Sequence, residues 1–401
     1  MVLPSAFISI TFMIIFCSSI DFSAAQFFGH NIDLSNNKKS FDPQIAVSGN
    51  NVYVAWRDET TGNGDINFRK SINNGDNFTY TKKLSHNEGI SSDPQIAASG
   101  NNVYVAWRDE TTGNGDIYFR TSVDSGANFN GTKKPGKTNG VSSEPQIAAS
   151  GNNVFVVWRD DTTGKGDIYL KASANNGADF NGTKRVGKTN ETSSDPQIAA
   201  SGNNVFVVWR DETTGNGDIY FKLSVDGGNS FEPTDKLART DVVSSDPKIS
   251  LSDNNVYVLW RNDVAGKGVL NYRASNDGGL SFITPQKLSL EGMNSSQAQI
   301  SSSGENVYVV WRDDTTGNGD IYFRTNTVAD ITNISNSTSG SSNPEIVTSG
   351  NNVYIVWEEG NDLYLKSSGD NGISFSDAVE LKTKQKNLSF MDPSVVSSFT
   401  G

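Results

Sequence analysis

The stretch DPQIAASGNNVYVAWRD, residues 93–109, recurs almost letter for letter along the chain and decides the fold. A tryptophan marks each copy: Trp56, Trp107, Trp158, Trp209, Trp260 and Trp311 are 51 residues apart, and Trp357 follows after 46. Each copy holds several short apolar runs bounded by Gly, Asn and Asp, which is typical of strands joined by tight turns. The chain is therefore a repeat protein rather than a string of unrelated domains.

Four strands are predicted in each unit. In the second unit they are residues 94–99, 103–108 and 117–122, followed by a weaker fourth strand of the kind found at 81–85. Alternation places Val103, Val105 and Trp107 on one face of the second strand and Tyr104, Ala106 and Arg108 on the other. Both faces are largely apolar, as expected for a sheet between two neighbours. The sequence predicts an all-β fold, a seven-bladed β-propeller of four-stranded antiparallel blades, with six or eight blades as alternatives.

The ends of the chain carry further predictions. Residues 1–25 read as a secretory signal peptide, because a hydrophobic run at 7–20 precedes the small residues Ser23, Ala24 and Ala25. No Lys or Arg precedes that run, so an uncleaved anchor is the alternative. Residues 26–41 are predicted as a lead-in or closing strand and 42–398 as the propeller. A surplus strand at 392–398 is either part of a closing clasp or the stub of a lost blade.

The net charge and the number of cysteines limit the partners and the cellular location that can be expected for this protein. The net charge of −12 argues against nucleic acid and anionic lipid as partners, since both attract basic surfaces. The single cysteine, Cys17, lies inside the predicted signal, so the mature chain has no disulfide. We expect a secreted or cell-surface monomer whose mature chain has no membrane span.

The turn after the third strand has the pattern Ser-x-Asp/Asn-x-Gly-x-x-Phe. It occurs six times, at Ser71, Asn73, Gly75, Phe78; Ser122, Asp124, Gly126, Phe129; Ser173, Asn175, Gly177, Phe180; Ser224, Asp226, Gly228, Phe231; Ser275, Asp277, Gly279, Phe282; and Ser368, Asp370, Gly372, Phe375. The short polar side chain is expected to hydrogen-bond its own turn, and Gly to supply a positive φ. The sixth unit lacks the pattern at residues 325–330.

This turn resembles the Asp box, or BNR repeat, of the sialidase superfamily, and the resemblance covers roughly residues 42–398. In that superfamily the Asp box is architectural and lies away from the catalytic centre, so the resemblance implies a fold more than an activity. Sialidases use an Arg triad, a Tyr nucleophile with a Glu partner and an Asp acid/base, and carry an Arg in a Phe/Tyr-Arg-Ile-Pro motif. Residues 40–45 read SFDPQI and contain no Arg. None of the catalytic residues can be placed on this chain.

Two further residue sets are candidate sites. An arginine follows the tryptophan in six units, at Arg57, Arg108, Arg159, Arg210, Arg261 and Arg312. Equivalent arginines around a ring favour structural pairing with adjacent acids, with ligand binding as the alternative. The acidic loop after the second strand, with Asp58 and Asp65 or Asp109 and Asp116, is a candidate calcium site. Its spacing is not that of an EF-hand, and Asp caps such turns without metal.

The predicted function follows from symmetry. Hydrolysis needs one unique cluster of an acid and a base. Near-identical units around a ring instead offer repeated weak binding sites, whose combined avidity can be large. We expect a non-catalytic binding module for extracellular glycans or a cell-surface protein. The alternatives are an exo-α-sialidase or other glycoside hydrolase, and a structural cell-envelope protein.

Overall fold

A computed structural model describes residues 32–35, 39–85, 89–187, 191–238, 241–360 and 362–381. The predicted signal peptide at 1–25 and the surplus strand at 392–398 lie outside these ranges. The described residues form 28 strands. Within the same ranges, no helix of the length and apolarity needed to cross a membrane is found.

The strands form seven four-stranded antiparallel sheets, each built from consecutive strands. The first strands are β1 (Ser40–Ser48), β5 (Ser91–Ser99), β9 (Ser142–Ser150), β13 (Ser193–Ser201), β17 (Ser244–Ser252), β21 (Ser295–Ser303) and β25 (Ser341–Ser349). The second strands are β2 (Asn51–Asp58), β6 (Asn102–Asp109), β10 (Asn153–Asp160), β14 (Asn204–Asp211), β18 (Asn255–Val264), β22 (Asn306–Asp313) and β26 (Asn352–Glu359).

The outer half of each blade completes the pattern. The third strands are β3 (Asp65–Ser71), β7 (Asp116–Ser122), β11 (Asp167–Ser173), β15 (Asp218–Ser224), β19 (Lys267–Ser275), β23 (Asp320–Thr325) and β27 (Asp362–Ser368). The fourth strands are β4 (Lys82–Lys83), β8 (Lys133–Gly136), β12 (Lys184–Gly187), β16 (Asp235–Lys236), β20 (Gln286–Lys287), β24 (Val328–Asn333) and β28 (Val379–Leu381). The predicted seven-bladed β-propeller, with its short fourth strands, is confirmed.

The core lies between blades, on both faces of each second strand. Val103, Val105 and Trp107 of β6 pack against blade one. Tyr104 and Ala106 of the same strand pack against blade three. The alternation read from the sequence therefore corresponds to two different interfaces. Blades two to six have both faces covered by their neighbours, which explains why a single blade would be marginal alone.

The repeated tryptophan anchors each interface. Trp107 is fully buried and packs against Tyr118, with 5.9 Å between the ring centroids and 37° between the ring planes. The same pairing recurs in blade four, where Trp209 lies 5.8 Å from Tyr220. Removing a buried aromatic of this size costs about 3–5 kcal/mol, because the cavity it leaves cannot collapse fully.

The turns that resemble the Asp box have the hydrogen bonds expected of them. In blade two the Ser122 hydroxyl donates to Asp124 Oδ1 (2.7 Å) and accepts from the N–H of Gly126 (2.9 Å). Gly126 has φ +76°, and a Cβ there would meet the Phe68 ring of blade one at 2.7 Å. Phe129 packs edge-on against that same ring, 4.9 Å between centroids. The turns of blades two, three, four, five and seven thus fasten each blade to the preceding one.

The sixth blade replaces this turn with a strand. Residues 326 and 327 connect β23 directly to β24, the longest fourth strand in the described chain. Phe375 of blade seven still packs against Phe323 of blade six, at 5.0 Å and an angle of 78°. The departure seen in the sequence therefore changes the turn and leaves the interface intact.

One junction differs from the other six. Consecutive blades from one to seven contact each other through their first strands, whereas β25 and β1 make almost no contact among the described residues. Leu34 instead lies against blade one, buried among Val52, Val54 and Trp56. We call the junction between blades seven and one the seam.

We predict that Asp226→Asn lowers stability near neutral pH and has little effect in acid. Hydrogen bonds from Ser230 and Ser224 lower the pKa of Asp226 to about 2. A depressed pKa stabilises the folded state above the ordinary aspartate value, and that contribution is lost as the pH falls through about 2. Urea unfolding at about pH 7 and at about pH 2 checks the prediction.

Asp235→Asn, on an exposed fourth-strand residue, is the control and should leave stability unchanged. Asn73 and Asn175 occupy the Asp226 position in blades one and three, so the substitution is compatible with the turn. An equal loss of stability at both pH values would contradict the prediction.

Candidate functional site

The candidate site is the mouth of the central channel, where the first strands begin. Each first strand forms the inner edge of its sheet. Ser91 of β5 pairs with Asp109, and Asp109 pairs with Asp116 across β6 and β7. The loops after the second strands therefore lie at the same rim as the first-strand beginnings. The Asp-box-like turns lie at the opposite rim.

Each first strand has a β-bulge near its start. Ser92 pairs with Arg108 and Gln95 with Ala106, so Asp93 and Pro94 together lie opposite one residue of β6. The residue before the proline has a left-handed backbone, with φ +51° at Asp93. The same conformation occurs at Asp42, Glu144, Asp195, Asp246, Gln297 and Asn343. A left-handed non-glycine residue costs about 1–2 kcal/mol, so each blade carries strain at the mouth.

The mouth encloses a cavity of about 440 Å³. Blades one to five contribute Asp42, Gln44, Asp93, Gln95, Arg108, Ser143, Glu144, Gln146, Asp195, Gln197, Asp246, Lys248 and four prolines. The lining of these five blades is thus a row of five carboxylates beside a row of four carboxamides and Lys248. Among the described residues it contains one arginine and no tyrosine.

The carboxamide ring was missed in the sequence analysis. It is formed by the fifth residue of the first strands, at Gln44, Gln95, Gln146, Gln197 and Gln299, with Lys248 and Glu345 at the same position in blades five and seven. The sequence feature that could have indicated these positions is the replacement of Gln by Lys248 in unit five and by Glu345 in unit seven. Both changes occur within an otherwise repeated strand.

Blades five to seven break the symmetry of the ring. Gln299 Nε2 donates to Glu345 Oε1 at 2.9 Å. Although channel solvent reaches Glu345, the surrounding protein desolvates its carboxyl and raises its pKa, while the charge of Lys248 opposes the rise. This part of the wall holds one cation and one carboxyl with a raised pKa, separated by a glutamine.

A second network lies beside it at the rim. Gln297 Nε2 donates to Asn343 Oδ1 (3.0 Å), and Gln297 Oε1 accepts from the Asn343 N–H (2.9 Å). Asn343 Nδ2 donates to Glu358 Oε2 at 2.8 Å. Glu358 stands where the other units carry the arginine. Its partner is therefore the neutral amide of its own blade's first strand.

The six repeated arginines do not converge on one point. In blades two to six, Nε donates to the carbonyl of the first residue of the next blade, at 3.2 Å from Arg108 and 2.9 Å from Arg210. The equivalent bonds join Arg159 to Ser193, Arg261 to Ser295 and Arg312 to Ser341. Arg57 pairs with Asp42 at 2.9 Å. Only Arg108 lines the cavity.

The guanidinium ends pair with acids two residues on. The ion pairs are Arg57–Glu59 (2.6 Å), Arg108–Glu110 (2.5 Å), Arg159–Asp161 (2.7 Å), Arg210–Glu212 and Arg312–Asp314 (2.6 Å). The arginines therefore link blades and brace the rim loops. The arrangement supports the structural interpretation and leaves Arg108 as the arginine placed to meet a ligand.

The candidate calcium residues lie in two loops of the rim and are buried. Asp58 accepts from the Thr60 N–H (2.8 Å) and from Asn67 Nδ2 (2.9 Å). Asp65 pairs with Lys83 at 2.7 Å. Protein donors thus occupy oxygens that a cation would need.

The second loop is similar. Asp109 accepts from the Thr111 N–H (3.0 Å) and the Ser91 hydroxyl (2.9 Å), and Asp116 accepts from Thr112. Calcium takes about six to eight oxygen ligands. No group of three or more His, Cys, Asp or Glu suited to a metal occurs in the described ranges. The residues as arranged do not fit calcium, and the calcium site stays a prediction.

Comparisons with known proteins support the architecture. No protein-family model matches the sequence, and no curated protein matches it. Among solved structures, the polysaccharide lyase Uly1 superposes with a TM-score of 0.55 at 10% identity, over 91% of this chain and 94% of that one. At such identity the likeness establishes the propeller fold alone.

Sialidases are also among the structural neighbours. The Hadza microbial sialidase Hz136 has a TM-score of 0.45 at 10% identity, over 71% of this chain and 65% of that one. The Trypanosoma rangeli sialidase, in complex with the inhibitor DANA, has a TM-score of 0.43 at 12% identity, over 72% and 55%. This chain therefore spans less than two thirds of either sialidase.

We predict that Arg210→Ala lowers the free energy of unfolding by about 1–2 kcal/mol, because the Ser244 carbonyl loses a charged donor at a half-buried position. Arg210→Lys should recover little of this, since Lys lacks the planar fork that reaches both partners. Urea unfolding measures both variants.

The control is Glu212→Gln, which removes the ion pair and keeps the bond to the Ser244 carbonyl. It should cost less than about 0.5 kcal/mol. A loss as large as that of Arg210→Ala would show that the ion pair, and not the link between blades, stabilises this rim.

We also predict that Glu144→Gln stabilises the protein near neutral pH. Burial raises the pKa of Glu144, even though Oε2 accepts from the Asp195 N–H at 2.7 Å. A raised carboxyl pKa means that the folded state is relatively more stable in acid and loses this advantage as the pH rises through that pKa. The gain from Glu144→Gln should thus vanish below about pH 4, as checked by thermal unfolding across pH. Glu232→Gln, on an exposed loop, should show no such trend.

Proposed function

We propose that this protein is a non-catalytic binding module that takes neutral glycans at the channel mouth. The observation that carries the proposal is the lining of the cavity: carboxylates stand beside carboxamides in repeated, fixed positions. Carboxylates accept hydrogen bonds and carboxamides both donate and accept them, which suits the vicinal hydroxyls of a sugar. The volume of about 440 Å³ falls within the range of about 300–1,000 Å³ usual for ligand pockets.

Charge favours a neutral sugar over an acidic one. Five acidic residues line the cavity, against Arg108 and Lys248. A sialic acid carboxylate entering this mouth would meet more like charge than opposite charge, and Arg108 already pairs with Glu110. We therefore infer that the ligand carries hydroxyls without a carboxylate. A secreted or surface location, which the N-terminal segment predicts, would give access to such glycans.

The repeated geometry supports binding rather than catalysis. Glycoside hydrolysis needs an acid and a base held in different environments. In blades one to four the mouth instead repeats one arrangement, in which an acid precedes a proline and an amide follows it, and blade five changes only the amide, to Lys248. Repeated equivalent contacts provide avidity for a repeating polymer.

We predict that the double variant Gln95→Ala, Gln146→Ala weakens binding of a neutral oligosaccharide about tenfold, since two hydrogen bonds of about 0.5–1.5 kcal/mol each are lost. Titration calorimetry with wild-type protein, after a glycan-array screen has identified the oligosaccharide, measures the effect. The matched control is Asn50→Ala, Asn152→Ala, which changes exposed turns at the opposite rim and should leave affinity unchanged.

Three outcomes would overturn the proposal. Turnover of a fluorogenic sialoside by the purified mature chain would establish a hydrolase. Failure to bind any neutral glycan, or equal loss of affinity in the two double variants, would remove the channel mouth as the binding site.

A further inference from the structure

Consecutive blades meet at the channel mouth through the left-handed residue of each first strand. At the junction of blades three and four, Glu144 Oε2 accepts from the N–H of Asp195 at 2.7 Å. At the junction of blades six and seven, Gln297 Oε1 accepts from the N–H of Asn343 at 2.9 Å. In both junctions a long side chain of one blade therefore reaches the equivalent N–H of the next blade and occupies it.

The other four junctions between consecutive blades have a shorter side chain at this position. The shorter residues are Asp42, Asp93, Asp195 and Asp246. Aspartate is one methylene shorter than glutamate, and each of these carboxylates is bonded within its own blade. Ser92 Oγ donates to Asp93 Oδ2 at 3.1 Å, and the same bond occurs in blades four and five at 3.1 and 3.2 Å. Asp42 pairs with Arg57.

The N–H groups that face these aspartates have the same backbone geometry as the occupied ones. The left-handed residues of all seven blades have φ between 50° and 53°. Each N–H is therefore directed toward the preceding blade, as that of Asp195 is. In the part of the chain that the structure describes, no side chain accepts from the N–H of Asp93, Glu144, Asp246 or Gln297. We call these four positions the open junctions.

Three of the open junctions lie at the cavity of the mouth. They join blades one and two, two and three, and four and five, and both residues of each line the cavity of about 440 Å³. The Glu144 carboxylate, which also lines this cavity, occupies the space at the junction of blades three and four that the shorter aspartates leave open. The protein thus shows, with its own oxygen atoms, where an acceptor fits.

An open junction presents one donor and one acceptor side by side. Between blades two and three the donor is the Glu144 N–H, and the acceptor is Asp93 Oδ1, because Ser92 already donates to Oδ2. A hydroxyl uses both, since its oxygen accepts and its proton is donated. A ligand carboxylate could accept from the N–H but would meet the aspartate charge, and an ammonium group could not accept at all. At the junction of blades six and seven the acceptor is a neutral carboxamide oxygen, so the N–H does not require an anion.

We propose that the open junctions are hydroxyl subsites for a glycan, each formed by the N–H of one blade and the aspartate of the blade before it. Glu144 and Gln297 fill the remaining junctions and stand where a sugar oxygen would bind. They divide the subsites into one pair on blades one to three and a second pair on blades four to six. The inference rests on the proposed function and names the atoms of the mouth that hold the sugar.

Asp93→Glu tests one subsite by closing the junction of blades two and three, as Glu144 closes the next one from the same backbone conformation. The probes are three neutral hexasaccharides: maltohexaose, cellohexaose and laminarihexaose. We expect the affinity for those that bind the wild type to fall about tenfold, because one hydroxyl loses two hydrogen bonds. Titration calorimetry on the full chain measures the change.

The reciprocal variant is Glu144→Asp, which opens the junction of blades three and four. Its affinity for the same hexasaccharides should equal or exceed that of the wild type, because it adds a subsite and removes none. Asp235→Glu makes the same change as Asp93→Glu on an exposed fourth strand and should bind as the wild type does.

Hydrogen exchange of the backbone amides, followed by NMR on the full chain, shows whether a junction is open when no sugar is present. The Glu144 N–H should exchange at least about tenfold more slowly in Asp93→Glu than in the wild type. The Asp195 N–H should exchange at least about tenfold faster in Glu144→Asp. Unchanged exchange in both variants would mean that these side chains do not control the N–H groups, and would overturn the inference.

The binding results separate this inference from the proposed function. Unchanged affinity in Asp93→Glu, with slower exchange at Glu144, would overturn the hydroxyl subsites, and the proposed function would stand if Gln95→Ala, Gln146→Ala still weakens binding. Equal weakening by Asp93→Glu and Glu144→Asp would mean a general disturbance of the mouth and would also overturn the subsites. If the wild type binds none of the hexasaccharides and no neutral glycan on the array, the proposed function and the subsites are overturned together.

Discussion

The fold depends on second strands that are apolar on both faces. Trp107 and its neighbours serve one interface, and Tyr104 serves the next. Leaving either apolar face of such a sheet in water is costly, so each blade depends on cover from both sides. Two other repeated features also join the blades. The arginine after the tryptophan hydrogen-bonds to the next blade in five cases. The phenylalanine of the Asp-box-like turn packs against the preceding blade in five of the six turns, as Phe129 does against Phe68.

Much of this could be predicted from the sequence because the signals are local and repeated. The 51-residue period predicts the repeated blade, the alternation in the second strand predicts two buried faces, and the Ser-x-Asp-x-Gly pattern predicts a hydrogen-bonded turn; the structure has all three. The left-handed Asp93 could not be predicted, since a residue before proline is normally extended. Its conformation is fixed by the bulge, which exists only once β5 pairs with β6.

The candidate site likewise has features that the sequence predicts and features that it does not. The arginines were visible as a repeated set, and their pairing with neighbouring acids was a correct expectation for five ion pairs. The carboxamide ring was not recognised, because a glutamine in a strand carries no motif and gains meaning only when several first strands surround one channel. Lys248 and Glu345 lie two blades apart, and their electrostatic coupling depends on the curvature of the assembly.

The near identity of the blades has a consequence for how the chain reaches its native state. Blades two, three and four present almost interchangeable surfaces, so blade two packed on blade four would satisfy nearly the same contacts as blade two packed on blade three. A chain in which one blade is left out of the stack in this way is misfolded, and such misassembled states are common kinetic traps in repeat proteins. The blades with altered sequences, five to seven, offer the only strong distinction between correct and shifted neighbours. If folding begins at blades five to seven, each remaining blade would then add next to its neighbour in the sequence, because the connections between blades are short.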